Sequence, residues 1–110
     1  MIKSKSIKVS TPNGFAFIEK NQICYIAALN KGSILKLINS EEVYSIKPLK
    51  EFDRVLEEPF FLRIHRSMII NLVNISEYKA HRNEIMMKCG ECVCVSYRKK
   101  NEFVKVLSGL

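Results

Sequence analysis

The stretch "FFLRIHRSMIINLVNI", residues 60–75, sets apolar runs around a tight basic group, and its reading decides the fold. Phe61–His65 reads as a β-strand, whose side chains alternate between two faces. Leu62, Ile64 and Arg66 then point one way, and Phe61, Arg63 and His65 the other. Arg66 leaves the strand at its end, just before Ser67, where a side chain is free to reach a base edge. Arginine offering two parallel donors to guanine is the commonest specific protein–DNA contact. A lone His65 beside strand residues reads as a packing residue or a phosphate contact rather than a catalytic base.

The segments around this stretch are strand-like. "TPNG" at 11–14 is a turn signal between strands at Ile7–Ser10 and Phe15–Glu19. "ICYIAAL" and "ILKLI" are β-rich runs separated by the polar loop "NKGS", and "EVYSI" is a further short strand. "NISEYKA", "EIMMKC" and "CVCVS" follow downstream. The period changes twice. Leu49, Phe52, Val55 and Leu56 recur at helical spacing, with Ser45 as a candidate N-cap, Pro48 in the first turn and Pro59 at the end. Glu51, Asp53, Glu57 and Glu58 give this helix an acidic face, which suits a buttress rather than a nucleic-acid contact. Phe103, Val104 and Leu107 share a face of a second helix at the C-terminal end. The fold expected is mainly β with short helices, an elongated antiparallel arrangement with one helix mid-chain and one C-terminal. Residues 1–6 are expected to be loose, with one domain over 7–110.

Charge is segregated along the 110 residues. The net charge is +7, made of +5 over residues 1–40, −3 over 41–62 and +5 over 63–110. An acidic middle between two basic segments favours an anionic partner. No apolar run approaches the length of a membrane span, and the start "MIKSKSIKVS" lacks the apolar core of a secretory signal. A cytoplasmic protein with reduced thiols is expected. There is no Gly-rich phosphate loop, no nucleophile elbow and no carboxylate pair placed beside a histidine, so an enzyme is not expected.

Three of the four cysteines fall within "EIMMKCGECVCVSYRKK", residues 84–100. If Gly90-Glu91 forms a two-residue turn, Cys89 and Cys92 face each other, and Cys92 and Cys94 share a strand face opposite Val93 and Val95. The alternative function is therefore a thiol-based metal or redox module on Cys89, Cys92 and Cys94. Zinc sites usually draw two separate ligand pairs, and no second C-x-x-C or H-x₃-H is present, so structural thiols are the better reading and no metal or cofactor is expected. In the tail, Ser96 is placed to cap the last helix, with Arg98, Lys99 and Lys100 in its first turn. Cations there oppose the helix dipole by about 0.3–1 kcal/mol each. A DNA phosphate would compensate them and also take the terminal N–H groups.

These residues resemble the LytTR DNA-binding domain of bacterial transcription regulators. The resemblance rests on Phe61, Arg63, His65, Arg66, Ser67, Ile70, Asn71 and Ile75 of the opening stretch. "GECVCVSYRKK", "ICYIAAL" and "YSIKPLKEFDRVL" extend it. The chain departs from the family pattern at Ala27, where an acidic residue is usual, and at Tyr97, where Arg directly follows the serine. The resemblance implies a β fold that lays loops into successive major grooves of double-stranded DNA and bends the duplex. By position it assigns DNA contacts to the loop Asn30–Ser33, with Asn30, Lys31 and Ser33, to Arg66 at the strand end and to Arg98; His65, Ser67, Lys99 and Lys100 beside them complete the expected DNA-binding residues, with Lys31, His65, Lys99 and Lys100 mainly on phosphates. It also implies a phosphorylatable receiver domain in a longer parent chain if this is an excised effector, or else a stand-alone regulator. A second copy on repeated DNA sites is a further expected partner, and a membrane is not.

Overall fold

The structure, a computed structural model, describes residues 5–56 and 60–110. β1 (Ser6–Thr11) and β2 (Gly14–Glu19) form the expected hairpin, with Thr11 paired to Gly14 across a Pro12-Asn13 turn. Gly14 closes that turn at φ +146°, a conformation that costs a side-chain-bearing residue. Ser6 already belongs to β1, and residues 1–4 of the segment expected to be loose lie outside the described residues.

Five strands build the central sheet: β3 (Ile23–Leu29), β4 (Gly32–Leu37), β5 (Glu42–Ser45), β6 (Phe61–His65) and β7 (Met68–Asn71). Their order is β5-β4-β3-β7-β6 and every pairing is antiparallel. A third sheet, ordered β10-β9-β8, holds β8 (Ile75–Lys79), β9 (Glu84–Met87) and β10 (Cys92–Cys94). The helices are α1 (Leu49–Val55) and α2 (Lys100–Ser108), neither long and apolar enough to cross a membrane. The molecule measures 42 × 33 × 25 Å, longer than it is wide.

The central sheet is buried on both faces. One core packs Ile7, Val9 and Ile18 of the hairpin and Leu49 and Phe52 of α1 against Ile23, Ile26, Leu35, Phe61 and Ile69. The other packs Ile85, Met87, Val93 and Phe103 against Ile64, Ile70 and Leu72. The neighbours Ile69 and Ile70 thus serve opposite cores, and the unbroken apolar run of β7 marks a strand covered on both sides.

Three helix expectations are corrected. Ser45 does not cap α1. It is buried in β5, its hydroxyl donating to Ser10 O at 2.9 Å and accepting from Lys47 N at 3.1 Å, so β1 claims it before the helix can. Pro48 takes the cap position instead. Val55 and Val104 are exposed, and the buried stripes are Leu49, Phe52 and Leu56 on the first helix and Phe103 with half-buried Val106 and Leu107 on the second. Pro59 as the helix end, and Glu57 and Glu58 on its acidic face, lie outside the described residues.

Two buried amides lock the strand register. Asn71 Nδ2 donates to Ile23 O at 3.0 Å and Asn74 Nδ2 to the same oxygen at 2.7 Å. Asn71 Oδ1 also accepts from Val73 N at 3.1 Å, turning the chain out of β7. Both carbonyl lone pairs of Ile23 are used at the bulge that starts β3, leaving no buried acceptor unpaired there.

Candidate nucleic-acid interface

At the tip of β6–β7 the two strands are joined by Arg66 and Ser67 alone. The register steps from Arg63↔Ile69 to His65↔Met68, so Ile64 is an extra, bulged residue. The bulge corrects the expected alternation. Arg63 lies opposite Ile69 of the first core, whereas His65 lies opposite Met68, which packs on the second. Arg66 is left exposed on the turn.

The turn is tied from inside. Arg63 donates Nε to His65 O at 3.1 Å and Nη2 to Arg66 O at 2.8 Å, and its Nη1 pairs with Asp53 Oδ2 on α1. His65 Nδ1 accepts from Ser67 N at 3.2 Å, with the Ser67 hydroxyl 2.9 Å away. Burial, and then the Arg63 charge, hold the imidazole below its ordinary pKa near 6.5, which keeps Nδ1 free to accept. Between the lowered value and 6.5 the unfolded chain binds more protons than the folded one, so stability falls as pH drops through that window. The urea midpoint should therefore fall between about pH 7.5 and about pH 5.5 by more in the wild type than in His65→Gln. An equal fall in both proteins would remove His65 from the account.

The C-terminal segment is brought to the same place by three contacts. Asn83, at φ 54°, donates Nδ2 to Val95 O at 2.6 Å and accepts from Tyr78 Oη at 2.9 Å. Ser96 N then donates to Ile64 O at 2.9 Å, pinning the chain beside the bulge of β6. Tyr97–Lys99 form a 3₁₀ turn that leads into α2. Ser96 therefore does not cap by its side chain, and only Lys100 lies in α2 itself, as its first residue. The result is one open cleft lined by Arg63, His65, Arg66, Arg98 and Lys99, with Ser67, Ser96, Asp53 and Glu102.

Asn30 and Lys31 form the exposed turn between β3 and β4, Asn30 at φ 56°, which asparagine tolerates. Ala28 N donates to Ser67 O at 2.9 Å, so this turn lies at the same end of the central sheet as Arg66, although it does not line the cleft. Ser33 was expected among the DNA contacts and is corrected. It is fully buried in β4, its hydroxyl donating to Lys47 O at 2.9 Å. The loop is shorter than "NKGS" implied because Gly32 can pair closely. A Cβ there would stand 2.1 Å from Ser45 O. Lys100 is half-buried and outside the cleft lining. Arg63 and Asp53 were missed as site residues. Arg63 stood in the motif, but its role depends on a bulge and on a helix ten residues away.

Cys89, Cys92 and Cys94 do not come together as one cluster. Met87 N donates to Glu91 O at 2.9 Å, making Lys88–Gly90 a three-residue loop closed by Gly90 at φ 94°. Cys92 consequently faces Met86, not Cys89. Cys92 and Cys94 share the outer face as expected, with Val93 and Val95 inside. Burial and the neighbouring Cys89 push the Cys24 thiol up to about 11, away from the thiolate that redox chemistry needs. Among the described residues no three metal-ligating side chains converge.

The β framework brings two hairpin turns and a basic 3₁₀ turn to one end, each presenting arginine or lysine. The family model of the LytTr DNA-binding domain matches residues 13–108, and the chain belongs to that family. It is a DNA-binding domain of a transcription regulator. A solved LytTr DNA-binding domain from Bacillus cereus, from a chain described as a methyl-accepting/DNA response regulator, is similar at 25% identity and a TM-score of 0.77. The match covers 94% of this chain and 96% of that one. No curated protein matches.

Proposed function

We propose that the chain reads duplex DNA with the end of its central sheet, Arg66 and Arg98 contacting base edges while Lys31, Lys99, Lys100 and His65 hold phosphates. The observation that carries this reading is the convergence of Arg66 and Arg98, thirty-two positions apart in sequence, on one cleft. Base-reading arginines and phosphate-holding lysines divide the work of specificity and position. The Asn30-Lys31 turn and the cleft lie side by side along the sheet end, a layout suited to two successive stretches of major groove with the duplex bent between them. A bend would cost on the order of 1–6 kcal/mol, to be offset by the additional phosphate contacts. The bacterial cytoplasm, where the chromosome lies, is the proposed location, and residues 7–110 the proposed domain.

In the same reading the chain acts as the output of a response regulator, a receiver domain preceding it in the parent chain, or as a stand-alone regulator. Two copies would bind repeated sites. Selection of bound sequences from a random duplex pool tests this, and two short motifs at a fixed helical spacing are the expected outcome. Lys31→Ala should weaken every duplex alike and reduce the salt slope by about one. A salt titration on the selected duplex that shows no slope would sink the proposal.

A further inference from the structure

We infer that Arg63, braced by Asp53, is a positioning residue that sets the base preference of Arg66 without touching DNA. The inference rests on the DNA reading above and concerns how one of its base contacts is aimed. Each of the three guanidinium nitrogens of Arg63 is engaged by the protein: Nε on His65 O at 3.1 Å, Nη2 on Arg66 O at 2.8 Å, and Nη1 on Asp53. Three of its five N–H donors, one on each nitrogen, are thus committed to the protein's own acceptors, although Arg63 lines the cleft.

Arg66 O lies in the turn, outside the ladder of paired strands, so no strand partner holds it. The Arg63 fork holds it instead, together with the preceding carbonyl, which defines the plane of the peptides on either side of the Arg66 Cα. The fork in turn is anchored. Asp53 projects from α1, which is held in place by Leu49 and Phe52 buried in the first core. Ser67 O, the next carbonyl, is held by Ala28 N at 2.9 Å. Three consecutive carbonyls around the reading residue are thus fixed, two by Arg63 of β6 and the third by Ala28 of β3. Paired donors reaching a guanine tolerate only about 10–20° of misalignment, so the orientation of this turn is part of the recognition. Lysine keeps the charge of Arg63 but has no planar fork with which to span the three acceptors.

The experiment compares wild type, Arg66→Ala, Arg98→Ala, Arg63→Lys and Asp53→Ala on the selected duplex and on its single-base variants. Arg66→Ala identifies the base pair that Arg66 reads. Arg63→Lys is expected to lose preference at that same base pair by roughly 5- to 150-fold, while keeping preference at the pair assigned by Arg98→Ala and keeping the salt slope. Asp53→Ala, an exposed change that leaves both carbonyl contacts of Arg63 possible, should lose less at the same pair. A merely structural role would weaken all duplexes together. If Arg63→Lys retains full preference where Arg66→Ala has lost it, the brace is overturned and the DNA reading stands. If Arg66→Ala and Arg98→Ala both bind as wild type does, the DNA reading fails and the inference goes with it.

Discussion

Replacing Arg66 and Arg98 together by alanine should remove a large part of the preference for a selected duplex over an arbitrary one, while the urea midpoint stays in place. Each arginine is worth about 1–3 kcal/mol of discrimination if it pairs with a base. Two of them account for roughly 2–6 kcal/mol of the ~4–10 kcal/mol that separates specific from non-specific binding. Stability should not follow, because both side chains are exposed and no hydrogen bond to either guanidinium is present in the free protein among the described residues. Sharing one cleft, they are near enough to couple, so the double variant should depart from the sum of the single ones. Competition binding with specific and scrambled duplexes reads both quantities. A double variant that still prefers the selected sequence by its original ratio would show that recognition lies elsewhere on the surface.

Phe103→Ala should cost about 3–5 kcal/mol of folding stability, a large part of the roughly 5–15 kcal/mol available to a domain of this size. Phe103 is 1% exposed and meets the Tyr78 ring edge-on with centroids 5.1 Å apart, filling the second core from α2. Arg98 and Lys99 sit on the turn leading into that helix, so DNA binding should fall with stability and recover where the variant is refolded by low temperature or by excess duplex. Val104→Ala, one residue on and 39% exposed, should stay within about 0.5 kcal/mol. Chemical denaturation of the two variants side by side decides the point, and equal midpoints would contradict the burial.

Much of this arrangement was legible in the chain, and what was not has a physical reason. Turn chemistry announced the hairpin at Pro12-Asn13, and β-rich runs bounded by polar residues marked the strands of all three sheets except β7, whose four residues are too few and too uniformly apolar to show a strand period. Serine was the unreliable letter. Ser33, Ser45 and Ser96 suit a loop contact and two helix caps by local pattern, yet the first donates to Lys47 O beyond β5, the second to Ser10 O of β1, and the third caps nothing with its hydroxyl. A hydroxyl serves a helix end or a neighbouring strand equally well, and only tertiary placement chooses. Cys89 was misplaced because a three-residue loop, not a two-residue one, joins β9 to β10. Arg66 and Arg98 were found as separate basic sites; that they share a cleft follows from Ser96 N reaching Ile64 O across thirty-two residues of chain, which no local pattern records. Arg63 was visible as a motif residue and invisible as a brace, since its three partners are brought together by the bulge and by α1.

The double burial of the central sheet also bears on how such a domain diversifies. Between their turns β3, β6 and β7 are committed to two cores at once, so substitution there is judged by packing on either side. Asn30, Lys31 and Arg66 are exposed at the turns and belong to neither core. If those turns read DNA as proposed, a lineage can exchange their side chains and acquire a new target site with little penalty to the framework. Duplicated regulators built this way can part company on the chromosome long before their folds drift apart.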